Sequence, residues 1–219
     1  MKIYEVIEPT QQKKSAAAVT AELLFDHCQP FLTAIQHDIS RHVLWRGDKR
    51  TQASTVQISN PTGREPTDTD AIVHDIANEW FGMNFGVEYR SEALFASGDK
   101  GMATQYGTPC MVFPKGNFQF CYSHNITDFT TEYQNLFSDN GIGDSIWWER
   151  KETNGEELNA AQYRRVYNAI VGLLEAGRYK SKGLIGAINS GSEIMIHAPE
   201  GFIVAPEYMD VNGVTNVFI

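Results

Sequence analysis

Three short runs, far apart in the chain, each pair an apolar β-prone stretch with one polar residue at an end: Val43-Leu44-Trp45-Arg46, Leu94-Phe95-Ala96-Ser97 and Glu193-Ile194-Met195-Ile196. Apolar, β-prone runs of this kind read as strands, so the polar residues fall at strand ends rather than on solvated helices.

Each residue has a plain reading beside a functional one. Arg46 carries a planar guanidinium that binds phosphate through two parallel hydrogen bonds, and it could equally pair with Asp48 or another carboxylate. Ser97 precedes Gly98, a turn residue, and a short helix with Met102, Ala103 and Tyr106 on one face. Its hydroxyl can bond a ribose or a neighbouring carboxylate, or Ser97 or Asp99 can cap that helix. Glu193 follows the small polar loop Ser190-Gly191-Ser192 and opens an apolar strand. It is either a reachable carboxylate or a charge that protects an edge strand from aggregation.

The remaining elements surround these strands with helices. Residues 16–39 read as two helices broken near Pro30, because an interior proline removes a donor and clashes with the preceding turn. After a polar, turn-rich stretch over 51–69, Ile72, Val73, Ile76, Ala77, Trp80 and Phe81 mark one helical face. Phe118, Phe120 and Tyr122 alternate as in a strand and read as core. Residues 128–159 read as irregular, with Gly141-Ile142-Gly143 and Trp147-Trp148 inside them. Asn159 and Gln162 form a capping box for a helix carrying Val166, Ile170, Leu173 and Leu174 and ending at Gly177. A strand over 202–205 and a hairpin turn at Asn212-Gly213 close the chain. The fold class is α+β, with helices preceding and flanking a mainly antiparallel sheet. Residues 1–219 form one domain, with 1–40 as a helical annex.

The 219 residues are 42% hydrophobic, enough for one substantial core. A net charge of -9 argues against a generic nucleic-acid or anionic-membrane binder, although one cleft can differ from the whole field. Cys28, Cys110 and Cys121 lack metal-ligand spacing and read as reduced thiols of a cytoplasmic protein. The six histidines form no zinc motif, and no metal is expected. No apolar leader or run of about 18 apolar residues is present, so no membrane association is expected. Ser123, His124 and Asp128 are too close in one segment for a convergent hydrolase triad, and a hydrogen-bonded turn explains them.

Taken in order, Leu44-Trp45-Arg46-Gly47, Ser97 with Ala103 and Tyr106, and Glu193-Ile194-Met195-Ile196 resemble the ADP-ribosyltransferase family of the arginine–serine–glutamate type. The likeness is greatest to its small phage-encoded members that modify host proteins. The resemblance implies a split sheet around an NAD cleft. Arg46 would bind the NAD phosphates, the Gly47 backbone the nicotinamide carboxamide, and Ser97 would brace the ribose or Glu193. Glu193 would be catalytic, bonding the nicotinamide-ribose hydroxyl and stabilising the cation that forms as the glycosidic bond breaks. The usual serine-rich triplet is Phe95-Ala96-Ser97 here, and arginine-modifying members carry a second acid where this chain has Gly191.

The implied function is NAD-dependent mono-ADP-ribosylation of a host macromolecule, a protein or a nucleic acid, in the cytoplasm of an infected bacterium. NAD is the cosubstrate. The alternatives are NAD glycohydrolysis, or a catalytically silent relative acting as a virion component or an inhibitory binding protein. Weaker candidates for the same site are Arg64, for cofactor or acceptor; one of Phe118, Phe120 and Tyr122, for stacking on nicotinamide; and the tryptophan segment, for closing over NAD.

Overall fold

A computed structural model describes residues 16–49, 56–59, 69–139 and 158–206. Two helices, α1 (Ala16–His27) and α2 (Gln29–Ala34), precede β1 (Trp45–Asp48) and β2 (Val56–Ser59). Then come α3 (Ala71–Phe85), α4 (Tyr89–Glu92), β3 (Leu94–Ser97), α5 (Lys100–Thr104), β4 (Thr108–Lys115) and β5 (Gln119–Tyr122). The order ends with α6 (Phe129–Asp139), α7 (Ala160–Gly177), α8 (Leu184–Ser190), β6 (Glu193–His197) and β7 (Glu200–Val204).

Local chemistry sets the helix ends. The break between α1 and α2 falls at Cys28, and Pro30 sits in the first turn of α2, where its missing N–H costs nothing. Asp70 caps α3 by accepting from the Ile72 N–H, and Gly86 ends it at φ 75°. Asn159 and Gln162 form the expected reciprocal capping box at the start of α7.

The strands among the described residues form one antiparallel sheet in the order β2-β7-β4-β1-β3-β6-β5. Its neighbours pair over four or five residues, except that β1 and β3 meet only at Trp45 and Ser97. The sheet is therefore two well-knit halves joined at a narrow seam, and β6 is an interior strand. Period-two alternation sorts the β3-β6-β5 half: Leu94, Ala96, Ile194 and Ile196 pack on one side with α1, α2 and α8, while Met195 and Cys121 pack on the other with α3, α6 and α7. Helices thus cover both faces of this half, and the α+β class with an antiparallel sheet holds. Leu24, Phe31, Leu32 and Ile35 of the N-terminal helices lie in the same cluster as the sheet residues.

Several local expectations differ from the structure. Arg46 does not end its strand, because β1 starts at Trp45 and continues to Asp48 through four pairs with β4. Residues 129–139 are helical rather than irregular: Phe129, Tyr133 and Phe137 recur every four residues and are buried against α7. Within the polar stretch 51–69, Val56–Ser59 pairs with β7. Arg64, Trp147, Trp148 and the Asn212-Gly213 turn lie outside the described residues. No helix among those described is long and apolar enough to cross a membrane.

Candidate functional site

The end of β3 and the start of β6 are adjacent by register. Ser97 pairs with Glu193, so in an antiparallel ladder their side chains share a face. The Ser97 hydroxyl donates to the Gly191 carbonyl at 2.6 Å and accepts from the Asp99 N–H at 3.0 Å. Asp99, rather than Ser97, caps α5, by accepting from the Gly101 N–H. Ser97 is buried, and its role is to tie the loop after β3 to the loop that delivers Glu193. Gly191 ends α8 at φ 70°. A non-glycine residue there would be strained by roughly 1–2 kcal/mol, so helix termination explains a glycine at this position.

Glu193 is neither a fully open carboxylate nor a charge on an edge strand. Its strand is flanked by β3 and β5, its N–H donates to the Thr127 carbonyl at 2.8 Å, and its side chain is 14% exposed. Arg90, 103 residues away, donates from Nη1 to Glu193 Oε1 at 3.1 Å and is itself 7% exposed. The Arg90 guanidinium lies between two rings, 4.7 Å from the centre of Phe95 and 4.9 Å from that of Phe129. Its Nη2 reaches Thr69 Oγ1 at 3.4 Å. Nothing in Tyr89-Arg90-Ser91-Glu92 marks this arginine, which sits on a single helical turn. That turn is pinned to α3 by a polar cluster in which Ser91 accepts from Asn78 and contacts His74 Nε2 at 3.0 Å.

Tyr179 shares this environment. Burial raises its phenol well above the usual range, the Glu193 carboxylate raises it further, and Arg90 opposes both. It packs edge-on against Phe81, with ring centres 4.9 Å apart. Asp128 closes the cluster: one carboxylate oxygen caps α6 through the Thr131 N–H, and the other accepts from the Tyr106 hydroxyl at 2.8 Å.

Arg46 occupies the seam. Its Nη1 donates to the Phe95 carbonyl at 3.0 Å, so the side chain spans β1 and β3 where their backbone ladder is interrupted. Phe95 thereby links both arginines, Arg46 through its carbonyl and Arg90 through its ring. Gly47 answers to packing as well: a Cβ would lie 2.4 Å from the Ala103 carbonyl oxygen and 2.6 Å from the Tyr106 carbonyl carbon. With strands about 4.8 Å apart, the backbones of β1 and β6 are roughly 10 Å from each other across the Trp45-Ser97-Glu193 row. A cation and an anion thus flank β3.

Other candidates do not join this cluster. Phe118, Phe120 and Tyr122 stack along the edge strand, 6.2 and 6.3 Å apart, and pack on the core, as the alternation predicts. Ser123 bonds the Gly177 carbonyl and caps the turn at Asn125 and Ile126, while His124 meets the Tyr122 hydroxyl at 3.2 Å. These residues form a structural turn. The three cysteines are buried free thiols. Among the described residues, no group of three His, Cys, Asp or Glu could hold a metal ion. In comparisons with known proteins, no family model, no curated protein and no solved structure matches the chain.

Proposed function

We propose that this chain is an NAD-dependent mono-ADP-ribosyltransferase, phage-encoded and acting on a macromolecule of the bacterial host. The observation that carries this reading is the convergence of its three sequence words on adjacent strands: Arg46 at the seam of β1 and β3, Ser97 opposite Glu193 on β3 and β6. The single-pair seam supports a sheet divided around a cleft.

The donor set fits NAD in chemical kind. A guanidinium on one side of β3 suits a diphosphate, and a largely enclosed carboxylate on the other suits a ribosyl cation. Arg46 holds the phosphates and the Gly47 backbone orients the carboxamide. Ser97 acts through the Gly191 loop, which leads directly into Glu193. Glu193 accepts from a hydroxyl of the nicotinamide ribose and stabilises positive charge at the anomeric carbon as its bond to nicotinamide breaks. Such an electrostatic contact is worth about 3–4 kcal/mol when most of the water is excluded. Transfer then forms a bond from that carbon to the acceptor, whose proton leaves.

The positive φ of Gly191 favours an acceptor other than arginine, or water, because the position gives no carboxylate to deprotonate an incoming nucleophile. Incubation with labelled NAD and a bacterial lysate separates these outcomes. Transferred label marks a transferase, and free ADP-ribose marks a glycohydrolase. Neither label nor released nicotinamide would replace this reading with that of a binding protein.

A further inference from the structure

We infer that Arg90 is the positioning residue of the site, holding the Glu193 carboxylate ionised and in one orientation; this rests on the function proposed above. Glu193 has little water to stabilise its charge, and desolvation by itself favours the neutral acid. Arg90 opposes that tendency with a fixed guanidinium 3.1 Å away. The guanidinium is in turn fixed by the Phe95 and Phe129 rings, which leave it a narrow choice of plane. Its Nε has no hydrogen-bond partner among the described residues. Burying an arginine with one donor unmatched is unfavourable, and the placement is accounted for by its service to Glu193.

Among the described residues, the other ionisable groups near the pair do not supply this charge. Tyr179, just beyond α7, is neutral at ordinary pH because burial and Glu193 both raise its phenol. Asp128, before α6, is committed to Tyr106 and to the α6 cap and carries the wrong sign. Cys121 on β5 is a buried thiol raised by desolvation. Arg46 reaches the Phe95 carbonyl from the far side of β3.

The test titrates Glu193 directly by carbon NMR of side-chain-labelled glutamate, using Glu193→Gln to assign the resonance, alongside NAD turnover against pH. In the parent chain the midpoint should lie well below neutral pH, leaving the carboxyl ionised. In Arg90→Gln it should rise by about one unit or more, and the acid limb of kcat should move with it. The same variant should lose about tenfold or more in kcat with less than about threefold change in KM for NAD, because orientation acts on the reacting state. Arg90→Lys keeps the charge without the planar fork, so it should hold the parent midpoint while recovering only part of kcat.

A Glu193 carboxyl that is protonated at neutral pH in the parent chain overturns the inference even if Arg90→Gln does not fold. An unchanged midpoint in a folded Arg90→Gln overturns it equally. Because the titration needs no turnover, absence of nicotinamide release from the parent chain would count against the proposed function alone.

Discussion

The Ser97 hydroxyl donates to the carbonyl of Gly191 at 2.6 Å, and this bond fixes the loop that presents Glu193 to the face it shares with Ser97. It joins positions 94 residues apart and also receives the Asp99 N–H. Ser97→Ala should therefore cost about 1–3 kcal/mol, the penalty for leaving partly buried backbone groups without their partner. Chemical denaturation measures the loss. NAD turnover should fall as well, since the loop loses its anchor; a variant of unchanged stability would show that the bond is dispensable.

Two glycines with opposite surroundings make a paired test of packing. A Cβ on Gly98 would lie 1.8 Å from the Ile188 carbonyl oxygen, whereas one on Gly172, inside α7, meets nothing within 4 Å. Gly98→Ala should destabilise by about 3 kcal/mol or more, because the clash is with backbone that cannot swing aside. Gly172→Ala should instead stabilise by about 0.5–1 kcal/mol through helix propensity. Melting temperatures of the two variants should move in opposite directions.

At the start of α7, Asn159→Ala removes the acceptor for the Ala161 and Gln162 N–H groups. The expected loss is about 1 kcal/mol, with early fraying of α7 in amide exchange. If exchange at the first turn is unchanged, the cap is not what holds that end.

The buried thiols and phenols predict alkaline instability. Burial pushes Cys28 up to about 12 and raises Cys121, Tyr89 and Tyr179 above their ordinary values. A raised acid pKa means the folded state keeps a proton that the unfolded chain releases. Stability is therefore fully present below about pH 8.5 and declines as pH rises from there, through the ordinary thiol and then phenol ranges. The melting temperature should fall steadily above that point. At neutral pH the native thiols should resist a disulfide reagent and react on unfolding; prompt reaction of all three in the folded protein would contradict their burial.

Much of this arrangement is legible in the sequence, for a physical reason. Arg46, Ser97 and Glu193 each adjoin a short apolar β-prone run, so their association with β1, β3 and β6 follows from local pattern. The exposure of Glu193 does not, because it depends on β5 pairing along the outer side of β6. Arg90 is illegible for a related reason: its partner is 103 residues away, and its own single turn has no apolar period. The helix over Phe129–Asp139 could have been read from Phe129, Tyr133 and Phe137, a stripe that the polar residues between them obscure. Gly47 and Gly191 carry reasons that only the fold supplies, a close approach to α5 in one case and a left-handed helix end in the other.

On the proposed function, Glu193 carries the chemistry of NAD cleavage. Glu193→Gln keeps the side chain's shape and removes its charge, so nicotinamide release from NAD should fall by hundreds-fold or more, equivalent to about 3–4 kcal/mol of lost charge stabilisation. The direct measurement is nicotinamide release and label transfer by the purified chain and by Glu193→Gln, side by side with a bacterial lysate. Release in the parent and its loss in the variant is the predicted result. Near-normal NAD consumption by Glu193→Gln would mean that Glu193 is not the catalytic carboxylate.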